Sequence, residues 1–238
     1  MNELTTIKKF GLNNNQLKII AMISMLIDHL GLIIFPTKAI FRIIGRISFP
    51  IYAFLISEGC RHTKNRKKYL GIIAAMGIVF QIFFLVFMND LYQGILITFS
   101  LSISLIYSID SFIKNKSISN RLLMSLIIAS ILVIAMVFPK IFGKYGFALD
   151  YRIWGVALPV LMYYTKGHTS KIIFCTAFLT VMAFNSYDIQ WWALLSIPCL
   201  ALYNGERGKA KMKYFFYIFY PLHLVIIYVI ALLILLLR

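Results

Sequence analysis

The chain has 238 residues, 61% of them hydrophobic and only 13% charged, with a mean hydropathy of +0.85. A water-soluble domain carries roughly 25% charged residues, so a soluble globular enzyme, a disordered protein and a secreted disulfide scaffold are excluded. The net charge of +16 would suggest nucleic acid in a soluble chain, but here Lys and Arg sit in short loops between apolar runs, where they report membrane topology.

Apolar runs near 17–35, 39–59, 69–88, 91–113, 121–138, 150–164, 171–185, 189–203 and 214–237 predict an all-α, polytopic transmembrane helix bundle of about nine spans. The whole of 1–238 is read as a single domain. A helix needs about 20 residues to cross a bilayer core, so the shorter sixth to eighth runs require tilt or local thinning. With the N-terminus inside, 17 cationic residues gather on one side, among them Lys8, Lys9, Lys18, the 61–68 loop and Arg207, Lys209, Lys211 and Lys213. Only 5 fall on the other: Lys38, Lys140, Lys144, Arg152 and Arg238. Cytoplasmic loops carry the positive excess, so the N-terminus is predicted to be cytoplasmic and the C-terminus outside. The polar first seventeen residues predict no cleavable signal peptide. Asp150-Tyr151-Arg152, Tyr187-Asp188, Trp154, Trp191 and Trp192 read as outer interface anchors. Cys60, Cys175 and Cys199 have no metal or redox spacing and read as packing residues, and no metal is expected.

Ionisable groups at bilayer depth cost about 2.5–3.5 kcal/mol each even on the milder insertion scale, and they mark candidate functional sites. The first span, LKIIAMISMLIDHLGLIIF, holds Lys18, Asp28 and His29. Eleven residues separate Lys18 from His29, three helical turns plus about 20°, so both lie on one face roughly 16 Å apart. Arg42 and Arg46 share a face of the second span and need anionic partners, with Asp28 or an anionic ligand as candidates. Pro50 interrupts that span, and Glu58 ends it beside a basic loop containing Arg61, Lys64, Arg66, Lys67 and Lys68. In the last span, Tyr220 and His223 are three apart with Pro221 between them. Each of these has a plain reading as well: Lys18 as a snorkelling cation, the histidines as packing residues, and Glu58 as a structural partner of its loop.

Four segments together resemble the TraX family of membrane proteins: LKIIAMISMLIDHLG, FRIIGRISFPIYAFLISEG with the following RHTKNRKKYL, IQWWALLSIPCLALYNGERG, and KYFFYIFYPLHLVIIY. They lie towards both ends of the chain in the right order, while 71–149 is generic apolar sequence. The resemblance implies acetylation of a pilin N-terminal amine and kinship with transmembrane acyltransferases, including the acyltransferase-three and heparan glucosaminide N-acetyltransferase families. In the acyltransferase-three family a first-helix arginine precedes an essential histidine by eleven residues. Lys18 and His29 are the matching positions, with lysine standing where that family has arginine. The implied chemistry is acyl transfer from cytosolic acetyl-CoA to a peptide amine, an amino sugar or a glycan, in a bacterial cytoplasmic membrane. In that scheme His29 is the general base, with Asp28, His223 and Glu58 as further catalytic candidates. Lys18, Arg42, Arg46, Arg61, Lys64, Lys67 and Tyr220 would bind the donor, and Arg42 or Arg46 would offset oxyanion charge.

Membrane lipid is the expected surrounding; nucleic acid is not an expected partner, and self-association is left open. Two other classes compete with acyl transfer. A transporter or flippase would use the same buried charges as a substrate path, against which no inverted repeat is evident and nine spans do not halve evenly. An assembly component of a membrane machine would carry out no covalent chemistry at all.

Overall fold

The computed structural model describes residues 10–186, 188–208 and 213–237. Lys8, Lys9, Tyr187, Lys209, Lys211 and Arg238 lie outside the described residues, as does the side chain of Lys213. In chain order the helices are α1 (Asn14–Ile33), α2 (Ala39–Gly45), α3 (Ser48–His62), α4 (Arg66–Met88), α5 (Ile95–Lys114), α6 (Ile118–Met136), α7 (Phe138–Phe142), α8 (Arg152–Tyr164), α9 (His168–Phe184), α10 (Ser196–Ala201) and α11 (Lys213–Leu236). Among the described residues there is no strand, only two isolated bridges. Among the described residues, six stretches are long and apolar enough to cross a membrane: Asn14–Ile33, Ala39–His62, Arg66–Val86, Ile95–Lys114, Ile118–Tyr145 and Ile218–Leu236. The expectation of an all-helical membrane protein therefore holds, and these six stretches correspond to the first five and the last of the nine expected spans. The predicted sixth and seventh spans form shorter helices, α8 with 13 residues and α9 with 17. The eighth is not one helix: Asp188–Leu195 is a 3₁₀-helix followed by the six-residue α10. Pro198 inside that short helix cannot donate to a continuous α ladder.

The chain divides into two compact units, one formed by residues 1–52 and 179–238, the other by 53–178. In the first, α1 packs against α2 and α11, and the 3₁₀-helix packs against α2 and α10. Asn13 caps α1 through a reciprocal pair with Gln16, the side-chain oxygen of each accepting from the other's backbone N–H. A parallel bridge, with Leu12 N–H donating to Leu202 O and Asn204 N–H to Leu12 O, ties the entry of α1 to the exit of α10. The expected second span is broken between α2 and α3. Pro50 has no N–H to give, and its ring crowds the carbonyl four residues back, at Arg46, so the helix turns at Arg46–Ile47 and restarts at Ser48. In lipid the freed carbonyls need donors. Ser24 of α1 donates its hydroxyl to Ile44 O at 2.5 Å, and Ser48 donates to Gly45 O at 2.8 Å.

In the second unit α5 is the central element, packed by α4, α6 and α8. Of its apolar window 56% is buried, against 11% for those of α4 and α6. That contrast decides the roles: α4 and α6 turn long apolar faces outward, including Ile78, Val79, Ile82, Leu122, Leu123 and Leu126, which only lipid can solvate. Small residues let α8 approach α5 closely. A Cβ on Gly155 would press on Thr98 and Asp150 O, and the Ser102 hydroxyl reaches both Thr98 O and Gly155 O. Apolar packing of Leu105, Ile131, Ala135, Leu149 and Val156 completes this core.

Candidate functional site

Within the first unit, α1 presents Asp28 and His29 to two different partners. About 100° separates successive residues on a helix, so the two side chains leave the axis in different directions. Asp28 meets α2. Its Oδ2 accepts from an Arg42 terminal N–H at 2.7 Å and its Oδ1 from Arg46, also at 2.7 Å. The pairing is tight because Gly45 has no side chain; a Cβ there would occupy the space of the Asp28 carboxylate. Arg46 is buried and its Nε–H donates to Arg42 O, while Arg42 keeps some exposure. One carboxylate thus serves two guanidinium groups, so the centre carries net positive charge.

His29 meets α11. Its Nδ1 lies 2.9 Å from Met25 O, one turn back in its own helix, and 3.3 Å from Nε2 of His223. The two imidazoles meet edge to face with centroids 5.1 Å apart. His223 is buried, its Nδ1 lies 2.9 Å from Phe219 O, and the Phe219 ring stacks on it at 4.9 Å. Tyr220 touches His223 edge-on at 5.8 Å. The structure therefore brings together Asp28 with Arg42 and Arg46, and His29 with His223 and Tyr220. Asp28 faces arginines, and the groups that hold the ring of His29 are Met25 O and His223. Lys18 lies on α1 at the far end of the stripe that His29 occupies. Phe219, half of the clamp on His223, went unremarked in the sequence; its signal was the four-residue spacing of two rings on one helix face.

Glu58, Arg61, Lys64 and Lys67 belong to the second unit and have other surroundings. Glu58 is buried and paired to Lys171 at 2.6 Å, with Arg61 and His62 as further partners at 3.8 and 3.4 Å. Arg61 donates to the Met162, Tyr163 and Thr165 carbonyls, satisfying the C-terminus of α8 as a cation does well. Expected to hold a ligand, Arg61 instead spends its donors on backbone. Lys64, Lys67 and Lys68 are exposed. Sequence reading passed over a second buried acid here. Asp110 of α5 accepts from Arg66 at 2.7 Å, from the Tyr163 hydroxyl at 2.8 Å and from the Tyr164 hydroxyl at 3.0 Å. Its signal was present, since Asp110 is the sole acid in the apolar run ILITFSLSISLIYSIDSFIK.

Fold and site define a helical membrane protein with a doubly held, partly buried carboxylate and an interhelical histidine pair. The chain belongs to the TraX family, whose model, described as TraX protein, matches residues 13–231. It is similar to the probable fimbrial assembly protein FimC, serogroup H1, of Dichelobacter nodosus, with 26% identity over 89% of this chain and 93% of that protein. It is also 36% identical to an uncharacterized protein of Rickettsia prowazekii (strain Madrid E), over 42% of this chain and 40% of that one. No solved structure matches.

Proposed function

We propose that this protein is an integral membrane acyltransferase that moves an acetyl group from cytosolic acetyl-CoA to an amine or hydroxyl acceptor, with His29 as general base. The observation that carries this reading is the contact between His29 and His223, two imidazoles from α1 and α11 set at bilayer depth beside a cationic Asp28–Arg42–Arg46 centre. Histidine is the side chain whose ordinary pKa suits proton transfer near neutral pH. The acceptor attacks the thioester carbonyl, forming the new N–C or O–C bond. As the C–S bond breaks, the acceptor's proton passes through His29 to the departing thiolate. The positive charge of Arg42 and Arg46 offsets charge on the tetrahedral oxyanion. The exposed Lys64, Lys67 and Lys68 supply positive charge for the donor's phosphates. Membership of the TraX family supports a protein amine as acceptor, and the fimbrial relative supports a pilin-type subunit as its bearer.

Nine crossings, with a cytoplasmic N-terminus and an external C-terminus, belong to the same proposal. The 3₁₀-helix and α10 together reach at most about 25 Å, enough to return the chain across a thinned bilayer to the bridge at Leu12. Single-cysteine labelling at Lys64 and Arg207 tests the orientation; labelling from outside at either position would reverse it. The chemistry is tested with purified protein in nanodiscs, by thiol release from acetyl-CoA and intact mass over a panel of pilin-like peptides, amino sugars and small amines. A second reading, an assembly component without covalent chemistry, is favoured by the name of the fimbrial relative. It prevails if no acceptor on the panel gains acetyl mass and no thiol is released.

A further inference from the structure

The geometry points to His223 as a positioning residue that joins Met25 O in accepting from the Nδ1–H of His29, so that the Nε2 of His29 carries the lone pair and the charge it gains is shared with a second ring. This rests on the acyl-transfer reading for its consequence in turnover, but the tautomer itself rests on distances alone. The argument starts from carbonyls, which only accept. Nδ1 of His223 lies 2.9 Å from Phe219 O, so that nitrogen carries the proton, and a neutral His223 must bear its lone pair on Nε2. The lone pair faces Nδ1 of His29 at 3.3 Å. Nδ1 of His29 also faces Met25 O at 2.9 Å. Two acceptors converge on that nitrogen, so it is the protonated one, donating to both. The remaining nitrogen, Nε2, is left with the lone pair a general base requires.

Phe219 O, His223, His29 and the acceptor thus form a directional chain in which every donor has an acceptor. Stacking of the Phe219 ring on His223, within 5° of parallel, holds the orientation on which the chain depends. When His29 takes the acceptor's proton on Nε2, its Nδ1–H strengthens toward His223 and spreads the new charge over two rings. Asp28 cannot do this work, because both its oxygens are engaged by arginines. The arrangement assigns to a neutral histidine the part that a buried carboxylate plays beside the catalytic histidine of serine hydrolases.

The test uses full-length protein in nanodiscs, labelled with ¹⁵N-histidine, His62 and His168 signals being assigned by single substitution. Imidazole nitrogen shifts separate protonated from lone-pair nitrogens. In the wild type, a protonated Nδ1 on His29 is expected; a protonated Nε2 there overturns the proposal. His223→Gln keeps an acceptor oxygen for His29, whereas His223→Phe keeps the bulk and removes it; Met25 O still holds the tautomer, so both variants should retain a protonated Nδ1. In thiol-release assays the Phe variant should lose about 10²-fold in kcat with KM for acetyl-CoA unchanged, and the Gln variant should recover most of the loss. No kcat loss in the Phe variant, or equal kcat loss in both, rules the role out. If wild-type protein consumes no thioester at all, the acyltransferase reading fails while the spectrum still decides the histidine pair.

Discussion

At Asp28 one residue carries two obligations, closing a partly buried ion triad and leaving room for it against Gly45. Breaking a buried pair by removing one partner typically costs about 3–5 kcal/mol, because the surviving charge is left uncompensated. Asp28→Asn strands two guanidinium groups, so the thermal midpoint in detergent should fall by several degrees or more. Gly45→Ala attacks the same contact from the other side and should cost about 1–3 kcal/mol by overpacking, read as a lower midpoint with the charges intact. His29→Ala behaves differently: neither Met25 O nor His223 needs it for folding. The expected result is near-normal expression and midpoint with transfer reduced by about 10²–10⁴. Near wild-type turnover in well-folded His29→Ala protein would move the base to His223. The ionisable residues of α1 and α2 stood out in the sequence because apolar surroundings make them costly, and the Asp28–arginine pairing was one of the alternatives read there. What sequence could not give was direction. Asp28 and His29 are neighbours in the chain, and only the placement of α2 and α11 shows that they serve separate partners.

Among the elements, the joint between α2 and α3 places a buried arginine at the end of one short helix instead of midway along a long one. Its carbonyls depend on two hydroxyls, from Ser24 and Ser48. Hydrogen bonds of this kind in membranes average about 0.6 kcal/mol, with a maximum near 1.7. Ser24→Ala should therefore lower stability modestly, and the Ser24→Ala/Ser48→Ala double variant by more than the sum, since both hydroxyls serve Gly45 O. A chemical-denaturation series in mixed micelles measures this. Apolar run length located the long helices well, because a spanning helix must satisfy its own backbone. It overstated 189–203, where composition matches a helix but the ladder is 3₁₀. Hydropathy registers how apolar a segment is and says nothing of which carbonyl each N–H reaches.

For the molecule as a whole, two units each hold a buried charge cluster, and the clusters have different chemistry. The first offers a histidine pair; in the second, Glu58 and Asp110 are neutralised by Lys171 and Arg66 and joined through Arg61 and Tyr163. A frame of that kind belongs to stability. Lys171→Met should destabilise strongly and Glu58→Gln/Lys171→Met much less, with thermal midpoints of the two singles and the double closing the cycle. The exposed Lys64, Lys67 and Lys68 contribute no such frame. Neutralising them together should leave the midpoint unchanged while raising the apparent KM for acetyl-CoA, most clearly at low ionic strength.

The contact between His29 and His223 spans 194 residues of chain, and that separation sets an order of events during synthesis. Asp28 finds Arg42 and Arg46 within twenty residues, so α1 and α2 can enter the bilayer as a hairpin with its ion pairs already formed. His29 has no such early companion. At about 5–20 residues per second, the ribosome delivers α11 roughly 10–40 s after α1. Throughout that interval the nascent chain holds an inserted, ion-paired hairpin whose His29 still lacks the second imidazole. A chain arrested before α11 would sit in the membrane with its acid clamped and its histidine pair unmade.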